Sequence, residues 1–229
     1  MDGSERNLVH ALALFRGVKD VHFDQLISGA FLQRFPQHVV LIKEGQQPNF
    51  LHIVIDGMVE LFAAAANRET TIEILRPIST FILAAVIRDE VYLKSARTLT
   101  PAQILMIPAI TVREVFARDA AFARAIVDEL ALRYRGLVRT VKNLKLHTGA
   151  ERLANWILDM DRQQGETGCV ELPYGKRTLA SLLGMTPENL SRNLAILTDH
   201  SVTCHGRQIV IANREKLQLL ARQNDLIYG

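Results

Sequence analysis

Cysteine is almost absent from this sequence: 229 residues include only Cys169 and Cys204. There is no C-x-x-C pair, which excludes a zinc or iron–sulfur motif built on cysteine alone, and a disulfide framework is not expected. No apolar stretch reaches about 18 residues without a charge, so we expect no membrane-spanning helix. The N-terminal sequence lacks the basic and apolar regions of a signal peptide. These absences predict a cytoplasmic protein.

Sequence motifs of catalysis are missing as well. There is no phosphate-cradling glycine loop, nucleophile elbow or metal-ligand cluster, so we predict that the protein is not an enzyme and has no metal site. The composition is 48% hydrophobic and 22% charged, as in globular proteins. The net charge of +3 permits a nucleic-acid partner without requiring one. Residues 131–150 hold five basic and no acidic side chains, whereas residues 149–229 hold nine of each.

The N-terminal half of the chain changes its pattern near residue 39. Before that point, the spacing of apolar side chains predicts two short helices, within residues 7–15 and 23–35. Residues 39–108 then form a series of short β-branched segments, each bounded by turn-like residues. Strands at such intervals predict an antiparallel sandwich or barrel, with a short helix between residues 81 and 93.

From Thr111 onward the apolar period is helical. Apolar residues recur in steps of three and four, at Ala120, Ala123, Val127, Leu130, Tyr134, Leu137, Val141 and Leu144. A narrow seam over more than three heptads is typical of a two-helix interface and favours a homodimer. The predicted interface residues are Val127, Leu130, Tyr134, Leu137, Val141 and Leu144. Packing of this helix only on its own chain is the alternative.

Residues 176–197 have the pattern of a helix-turn-helix. Ala180 lets two helices cross closely, Gly184 ends the first helix, and Leu190 fills the joint between them. Thr186 and Pro187 suit the N-cap and the first position of the second helix. The spacing therefore predicts a DNA-binding element.

The second helix of this pair offers polar side chains that suit base edges. Its outward face is predicted to carry Glu188, Asn189, Ser191, Arg192 and Asn193. Arginine donates two hydrogen bonds to guanine, glutamate accepts from cytosine, and asparagine pairs with adenine. Two short strands around Gly206 form a wing, which brings an arginine to the phosphates. The predicted DNA-binding residues are Thr178, Pro187, Glu188, Asn189, Ser191, Arg192 and Arg207.

The order of β-barrel, long helix and winged helix-turn-helix resembles the CRP/FNR family of bacterial transcription regulators over nearly the whole chain. Shared features include Glu44-Gly45 before a strand and residues 54–59, which match I-x-x-G-x-V. The resemblance implies an α+β fold with a cyclic-nucleotide-binding-like jelly roll at residues 1–110, a dimerisation helix at residues 111–148 and a winged helix-turn-helix at residues 149–229. It also implies a homodimeric activator that binds double-stranded DNA and RNA polymerase.

Within the family, Glu188, Ser191 and Arg192 match the E-x-x-S-R motif of the FNR-type recognition helix. That motif implies a TTGAT–ATCAA palindrome with four intervening base pairs, whose half-sites lie one helical turn apart, as suits a twofold dimer. The cAMP-receptor type has arginine before the glutamate and glycine before the second arginine, where this sequence has Pro187 and Ser191. The branch that the chain resembles most is that of DNR and NnrR, regulators of nitric-oxide metabolism and denitrification.

Cyclic-nucleotide-binding members of the family carry a G-E-L stretch followed by R-S or R-T, whose glutamate binds the ribose and whose arginine binds the phosphate. The corresponding residues here, which form the predicted effector pocket, are Leu83, Ala84, Ala85, Lys94 and Ser95. The glycine, glutamate and arginine are missing, which argues against cAMP. An iron–sulfur cluster is not expected either, because the N-terminal region has no cysteine.

Haem is a candidate cofactor, because some regulators of the DNR type use haem, and a histidine commonly serves as its axial ligand. The histidines are His10, His22, His38, His52, His147, His200 and His205, and none has ligand-pair spacing with another. The signal is thus a gas bound through haem, another small molecule, or none. Two alternatives stay open: a cAMP-responsive regulator of the CRP type, and a ligand-binding module that acts on a protein partner.

Overall fold

The computed structural model describes residues 3–66 and 68–222. The chain divides into two compact units, with the boundary between Tyr134 and Arg135. Within the described residues, no helix is both long enough and apolar enough to cross a membrane.

The first unit begins with two helices, α1 (Gly3–His10) and α2 (Asp20–Ser28). A single 3-10 turn at Ala13–Phe15 lies between them. The helix predicted within residues 7–15 differs in its bounds, because α1 starts earlier and already ends at His10. The prediction of helix over residues 23–35 is wrong in its second half, because Phe31–Phe35 forms a strand.

Eight strands then form two antiparallel four-stranded sheets. The strands are β1 (Phe31–Phe35), β2 (Val40–Ile42), β3 (Phe50–Asp56), β4 (Val59–Ala65), β5 (Arg68–Leu75), β6 (Ser79–Phe81), β7 (Ser95–Thr98) and β8 (Ala102–Pro108). Their orders are β1-β8-β3-β6 and β2-β7-β4-β5, the arrangement of a jelly roll. A short helix, α3 (Leu83–Arg88), follows β6 as predicted.

Successive side chains of β3 belong to two different hydrophobic cores. Leu51 and Ile53 point to the helices and join a cluster with Phe15 and Phe23. Val54 belongs to a second cluster, which lies between the two sheets. Successive side chains of a strand point to opposite faces, so one strand serves both cores.

Two further helices follow the sheets, α4 (Ala109–Arg118) and α5 (Ala120–Leu146). The long helix predicted from the apolar seam is therefore present. Near its start, Phe122 and Ile126 are fully buried in the cluster beside α1 and α2. Further along, most of its large apolar side chains are exposed.

The C-terminal part of the second unit consists of α6 (Gly149–Gln163), β9 (Cys169–Glu171), α7 (Lys176–Leu182), α8 (Pro187–Asp199), β10 (Val202–His205), β11 (Gln208–Ile211) and α9 (Arg214–Ala221). The strands form one small sheet in the order β10-β11-β9. A capping box between Thr148 and Glu151 fixes the start of α6. The predicted α+β fold, with a jelly roll, a long helix and a winged helix-turn-helix, is confirmed.

Candidate functional site

The turn between α7 and α8 has the geometry of a Schellman motif. The N–H of Met185 donates to the Ala180 carbonyl at 3.0 Å, and that of Gly184 donates to the Ser181 carbonyl at 3.0 Å. Gly184 has a φ of 63°, which a glycine adopts without steric cost. Ala180 and Leu190 are buried on the two helices. The local sequence thus forms the helix-turn-helix for the reasons that its spacing indicates.

The first turn of α8 carries a fixed negative charge. The Thr186 hydroxyl caps the helix by accepting a hydrogen bond from the Asn189 N–H at 3.2 Å, and Pro187 occupies the first turn. Interactions with its own backbone N–H, with Thr186 and with Arg192 lower the pKa of the exposed Glu188. Glu188 is therefore ionised, and its carboxylate can accept hydrogen bonds from bases.

Most of the predicted DNA-binding side chains are accessible. Those that are exposed are Pro187, Glu188, Asn189, Ser191, Arg192 and Arg207, whereas Thr178 is half-buried. Asn189 and Arg192 border a cleft of about 360 Å³ on α8. Asn193 differs from the expectation of an outward position, because it is half-buried and its amide lies 3.5 Å from the Met185 sulfur.

The wing is a hairpin of β10 and β11, and Gly206 lies at its tip. Arg207 is exposed but partly engaged, since its Nε and Nη2 donate to the Leu172 carbonyl at 3.2 and 2.7 Å. This contact ties the wing to the segment after β9. The guanidinium has five N–H donors, so others stay available for a phosphate.

The residues predicted to hold an effector have different surroundings. Leu83 is buried in the cluster on the helix side of the first sheet, whereas Ala85 packs against the cluster between the sheets. Ala84 is exposed. The Ser95 hydroxyl accepts a hydrogen bond from the Glu44 N–H at 3.0 Å and so fixes the turn between β2 and β3.

Lys94 faces a carboxylate of the protein itself. Its Nζ lies 3.9 Å from the Glu73 carboxylate, which also pairs with Arg133 Nη1 at 3.0 Å. Arg133 binds Glu129 through Nε at 3.0 Å, and Glu129 accepts from the Thr80 hydroxyl at 2.6 Å. Burial lowers the pKa of Lys94, and Glu73 opposes that shift. The cation at the position that the resemblance assigns to phosphate is thus already paired.

A cavity of about 400 Å³ lies elsewhere in the same unit, between β2 of one sheet and β3 and β8 of the other. Its polar lining consists of Gln46, Gln47, Asn49, His52 and Tyr92, and its apolar lining of Leu41, Ile42, Phe50 and Met106. Among the residues that the structure describes, none with a formal charge at neutral pH lines this cavity.

His52 is the unusual member of this lining. It is 2% exposed, its ring stacks on Phe81 at a centroid distance of 5.0 Å, and its Nδ1 has no hydrogen-bond partner among the described residues. Burial lowers the pKa of His52 to about 4, despite an opposing interaction with the Phe50 backbone, so the ring is neutral at pH 7. Sequence reasoning did not single out His52. The alternation of β3, which places it on the same face as Val54, is the signal that could have done so.

Two family models match this chain. Residues 32–119 match the cyclic nucleotide-binding domain, and residues 151–220 match the Crp-like helix-turn-helix domain. The chain belongs to the CRP/FNR family. It is accordingly a transcription regulator of the CRP/FNR type, with a DNA-binding helix-turn-helix and an effector-binding domain.

Several known proteins resemble this CRP/FNR regulator. The CRP-like cAMP-activated global transcriptional regulator of Mycobacterium tuberculosis is 22% identical over 91% of this chain and 96% of its own length. A candidate cyclic nucleotide binding protein of Ruegeria pomeroyi is 28% identical, with a TM-score of 0.62 over 97% of this chain and 100% of that chain. DNR from Pseudomonas aeruginosa is 22% identical, with a TM-score of 0.52 over 96% and 99%. The likeness to DNR shows the fold alone, so the DNR/NnrR branch is not confirmed.

Proposed function

We propose that this regulator is a non-enzymatic homodimer that binds an FNR-like TTGAT–ATCAA palindrome in the cytoplasm and activates transcription through contact with RNA polymerase. The observation that carries this proposal is the helix-turn-helix, in which Ala180 and Leu190 are buried while the polar side chains of α8 stay exposed. Glu188, Ser191 and Arg192 lie on the face opposite the buried leucine, where they can reach base edges in a major groove.

The exposed apolar face of α5 supports the dimer. Tyr134 and Leu137 are 68% and 58% exposed, and Val127, Val141 and Leu144 are exposed as well. Leu130 is half-buried. Exposure of an apolar stripe of this length to water is energetically unfavourable. Packing against the same stripe of a second copy buries these side chains and removes that cost. The dimer aligns two recognition helices with two half-sites.

Substitution of Arg192 tests the DNA-binding assignment. Arg192→Ala is expected to weaken binding to the palindrome at least about tenfold, because each bidentate arginine–guanine contact contributes about 1–3 kcal/mol to discrimination. Fluorescence anisotropy with a labelled palindrome and an unrelated duplex at fixed salt measures the loss. Arg162→Ala is the matched control, since Arg162 is also exposed but lies at the end of α6.

The outcomes separate the remaining alternatives. If Arg192→Ala binds the palindrome with unchanged affinity, the proposed base contact of Arg192 is refuted, although the protein still binds DNA. Failure of the wild-type protein to show any salt-dependent affinity for DNA would favour the alternative in which the chain acts on a protein partner.

We further propose that the effector is not cAMP. A cAMP response is the second candidate function, and the match of residues 32–119 together with the named activity of the mycobacterial relative favours it. Two contacts weigh against it. Glu73 already pairs with Lys94, and Leu83 is buried in the opposite cluster. A cyclic phosphate would have to displace an internal carboxylate, and Ala84, at the position of the ribose-binding glutamate, offers its ribose no acceptor.

The haem hypothesis depends on a suitable axial ligand, and His52 is the histidine that lines the described cavity. Its unpartnered nitrogen is Nδ1, which adjoins the ring carbon that carries Cβ. A macrocycle on Nδ1 would collide with the side chain's own Cβ and backbone, so Nε2 is the ring nitrogen that could serve as an axial ligand. No cationic side chain of the described residues lines the cavity to pair with haem propionates. The cavity thus offers haem one candidate axial nitrogen but no partner for its propionates, and no step of the proposed function depends on haem.

A further inference from the structure

We propose that the cavity beside His52 is the effector site of this regulator and that it takes an uncharged small molecule combining a hydrogen-bonding group with an aromatic or apolar part. This inference rests on the proposed function only where it names the ligand an effector, because the site itself is argued from the cavity. The site is separate from the positions of Leu83 and Lys94, which do not line it.

The lining residues are all neutral, which favours an uncharged ligand. Gln46, Gln47 and Asn49 contribute neutral amides near the turn after β2, and His52 is neutral as well. An ionised ligand would lose part of its hydration on entering this cavity without meeting an opposite charge, which is unfavourable. The cavity therefore selects against carboxylates and phosphates.

His52 gives the ligand a fixed hydrogen-bonding group. Its Nδ1 is fully buried and has no partner among the described residues, so a ligand in the cavity cannot reach that atom. We therefore assign the hydrogen bond with the ligand to the other ring nitrogen, Nε2. The ring is held in place, because His52 lies opposite Met106 of β8 and Phe81 of β6 in the strand registers and stacks on Phe81. Such a preorganised group adds affinity without an ordering cost.

The other lining residues indicate which apolar group of a ligand would fit the cavity. Ile42, Phe50 and Met106 contribute apolar surface to the lining, and a volume of about 400 Å³ lies within the range of small-molecule sites. Backbone hydrogen bonds tie the turn after β2 to Tyr92, since the Gly45 N–H donates to the Tyr92 carbonyl at 2.8 Å and the Tyr92 N–H donates to the Gln46 carbonyl at 2.9 Å. An aromatic ring with one amide or hydroxyl group matches this arrangement.

A pair of probes with the same shape and different charge tests the inference on the full-length protein. Benzamide and benzoate are titrated separately while histidine ring resonances are followed by ¹H–¹⁵N NMR. Benzamide is expected to shift the ring nitrogen signals of His52, which are identified by their loss in His52→Phe. Benzoate is expected to bind at least about tenfold more weakly, because no cation lines the cavity.

Two variants and one control make the test independent of folding defects in His52→Phe. Gln47→Lys introduces a cation at the exposed rim, and it is expected to raise benzoate affinity at least about threefold without weakening benzamide. His205→Phe removes an exposed histidine of the wing and should leave both probes unaffected. His52→Phe should weaken benzamide binding, because it removes the hydrogen-bonding ring nitrogens, and it should leave benzoate the weaker ligand.

Three results would overturn the inference: equal or tighter binding of benzoate to the wild-type protein, the absence of any shift at His52 with benzamide, or displacement of benzamide by cAMP or by added haemin. DNA affinity is measured separately with and without benzamide. Loss of the probe result with intact DNA binding refutes only the effector site. Intact probe binding without DNA binding refutes only the proposed regulator.

Discussion

Asp119 joins three segments of the first unit through one buried side chain. It lies between α4 and α5 and is 2% exposed. Its carboxylate accepts hydrogen bonds from the backbone N–H groups of Phe122 at 2.9 Å and Lys19 at 3.1 Å. The carboxylate also lies 2.7 Å from Nδ1 of His22 on α2. Burial raises the pKa of Asp119, but the hydrogen bonds from His22 and the backbone outweigh it and lower the pKa to about 2.

This shift makes the contribution of Asp119 depend on pH. The folded-state pKa lies below the value of about 3.9 in an unfolded chain, so Asp119 stabilises the protein fully above about pH 5, and the effect is lost as the pH falls toward 2. Asp119→Asn is expected to lower the free energy of unfolding by about 2 kcal/mol at pH 7 and by about half as much at pH 3. Urea unfolding over this pH range measures the difference.

Asp128→Asn is the matched control for this prediction, because Asp128 is exposed on α5, the helix that begins directly after Asp119. It should change the free energy of unfolding by no more than about 0.5 kcal/mol at either pH. A loss for Asp119→Asn that is equally large at pH 3 and pH 7 would contradict the assigned hydrogen bonds.

Residue roles could be predicted where the backbone itself demands a residue type. Gly184 and Thr186 are examples, since a left-handed turn and a helix N-cap each restrict the choice locally. Side-chain partners could not be predicted in this way. His22 and Asp119 are 97 positions apart, and the pairing of Lys94 with Glu73 likewise depends on the register of the sheets. The unsatisfied nitrogen of His52 could be found only once its neighbours were known.

Helices and strands could be predicted well where their period extended over many residues. The seam of α5 runs over more than three heptads, and this helix is present as a single element from Ala120 to Leu146. Phe31–Phe35 is too short to establish a period, so its sequence alone predicts a continuation of the preceding helix. Pairing with β8 along five residues decides its conformation instead. Tertiary pairing thus overrides a weak local signal.

The seam of α5 also makes a prediction about the oligomeric state. Leu137→Glu is expected to convert the dimer to a monomer at micromolar concentration, because each buried leucine contributes about 1.5–3 kcal/mol and the substitution acts on both copies. Analytical ultracentrifugation measures the change. Leu132→Glu is a close control, since Leu132 is 66% exposed on the same helix but lies off the predicted seam. Dissociation by both variants or by neither would refute the seam as the dimer interface.

Charge is divided unevenly between the two compact units. Residues 135–229 hold 13 basic and nine acidic side chains, a net charge of +4, whereas residues 1–134 hold 14 basic and 15 acidic ones, a net charge of −1. Counting from residue 149 gives a neutral C-terminal region, because Arg135, Arg139, Lys142 and Lys145 then fall outside it. The helix-turn-helix shares its unit with these four residues. The net charge of the second unit thus supports DNA binding, whereas the net charge of the whole chain is uninformative.

The basic end of α5 leads to a prediction about salt dependence. We expect Lys142 and Lys145 to bind phosphates rather than bases, so replacing both with glutamine should weaken binding to the palindrome and to unrelated duplexes by the same factor. The slope of log affinity against log salt concentration should fall by about 0.9 for each phosphate contact removed. Lys43→Gln, an exposed substitution in the first unit, should leave the slope unchanged. An unchanged slope in the double variant would place the phosphate contacts on α7 and the wing instead.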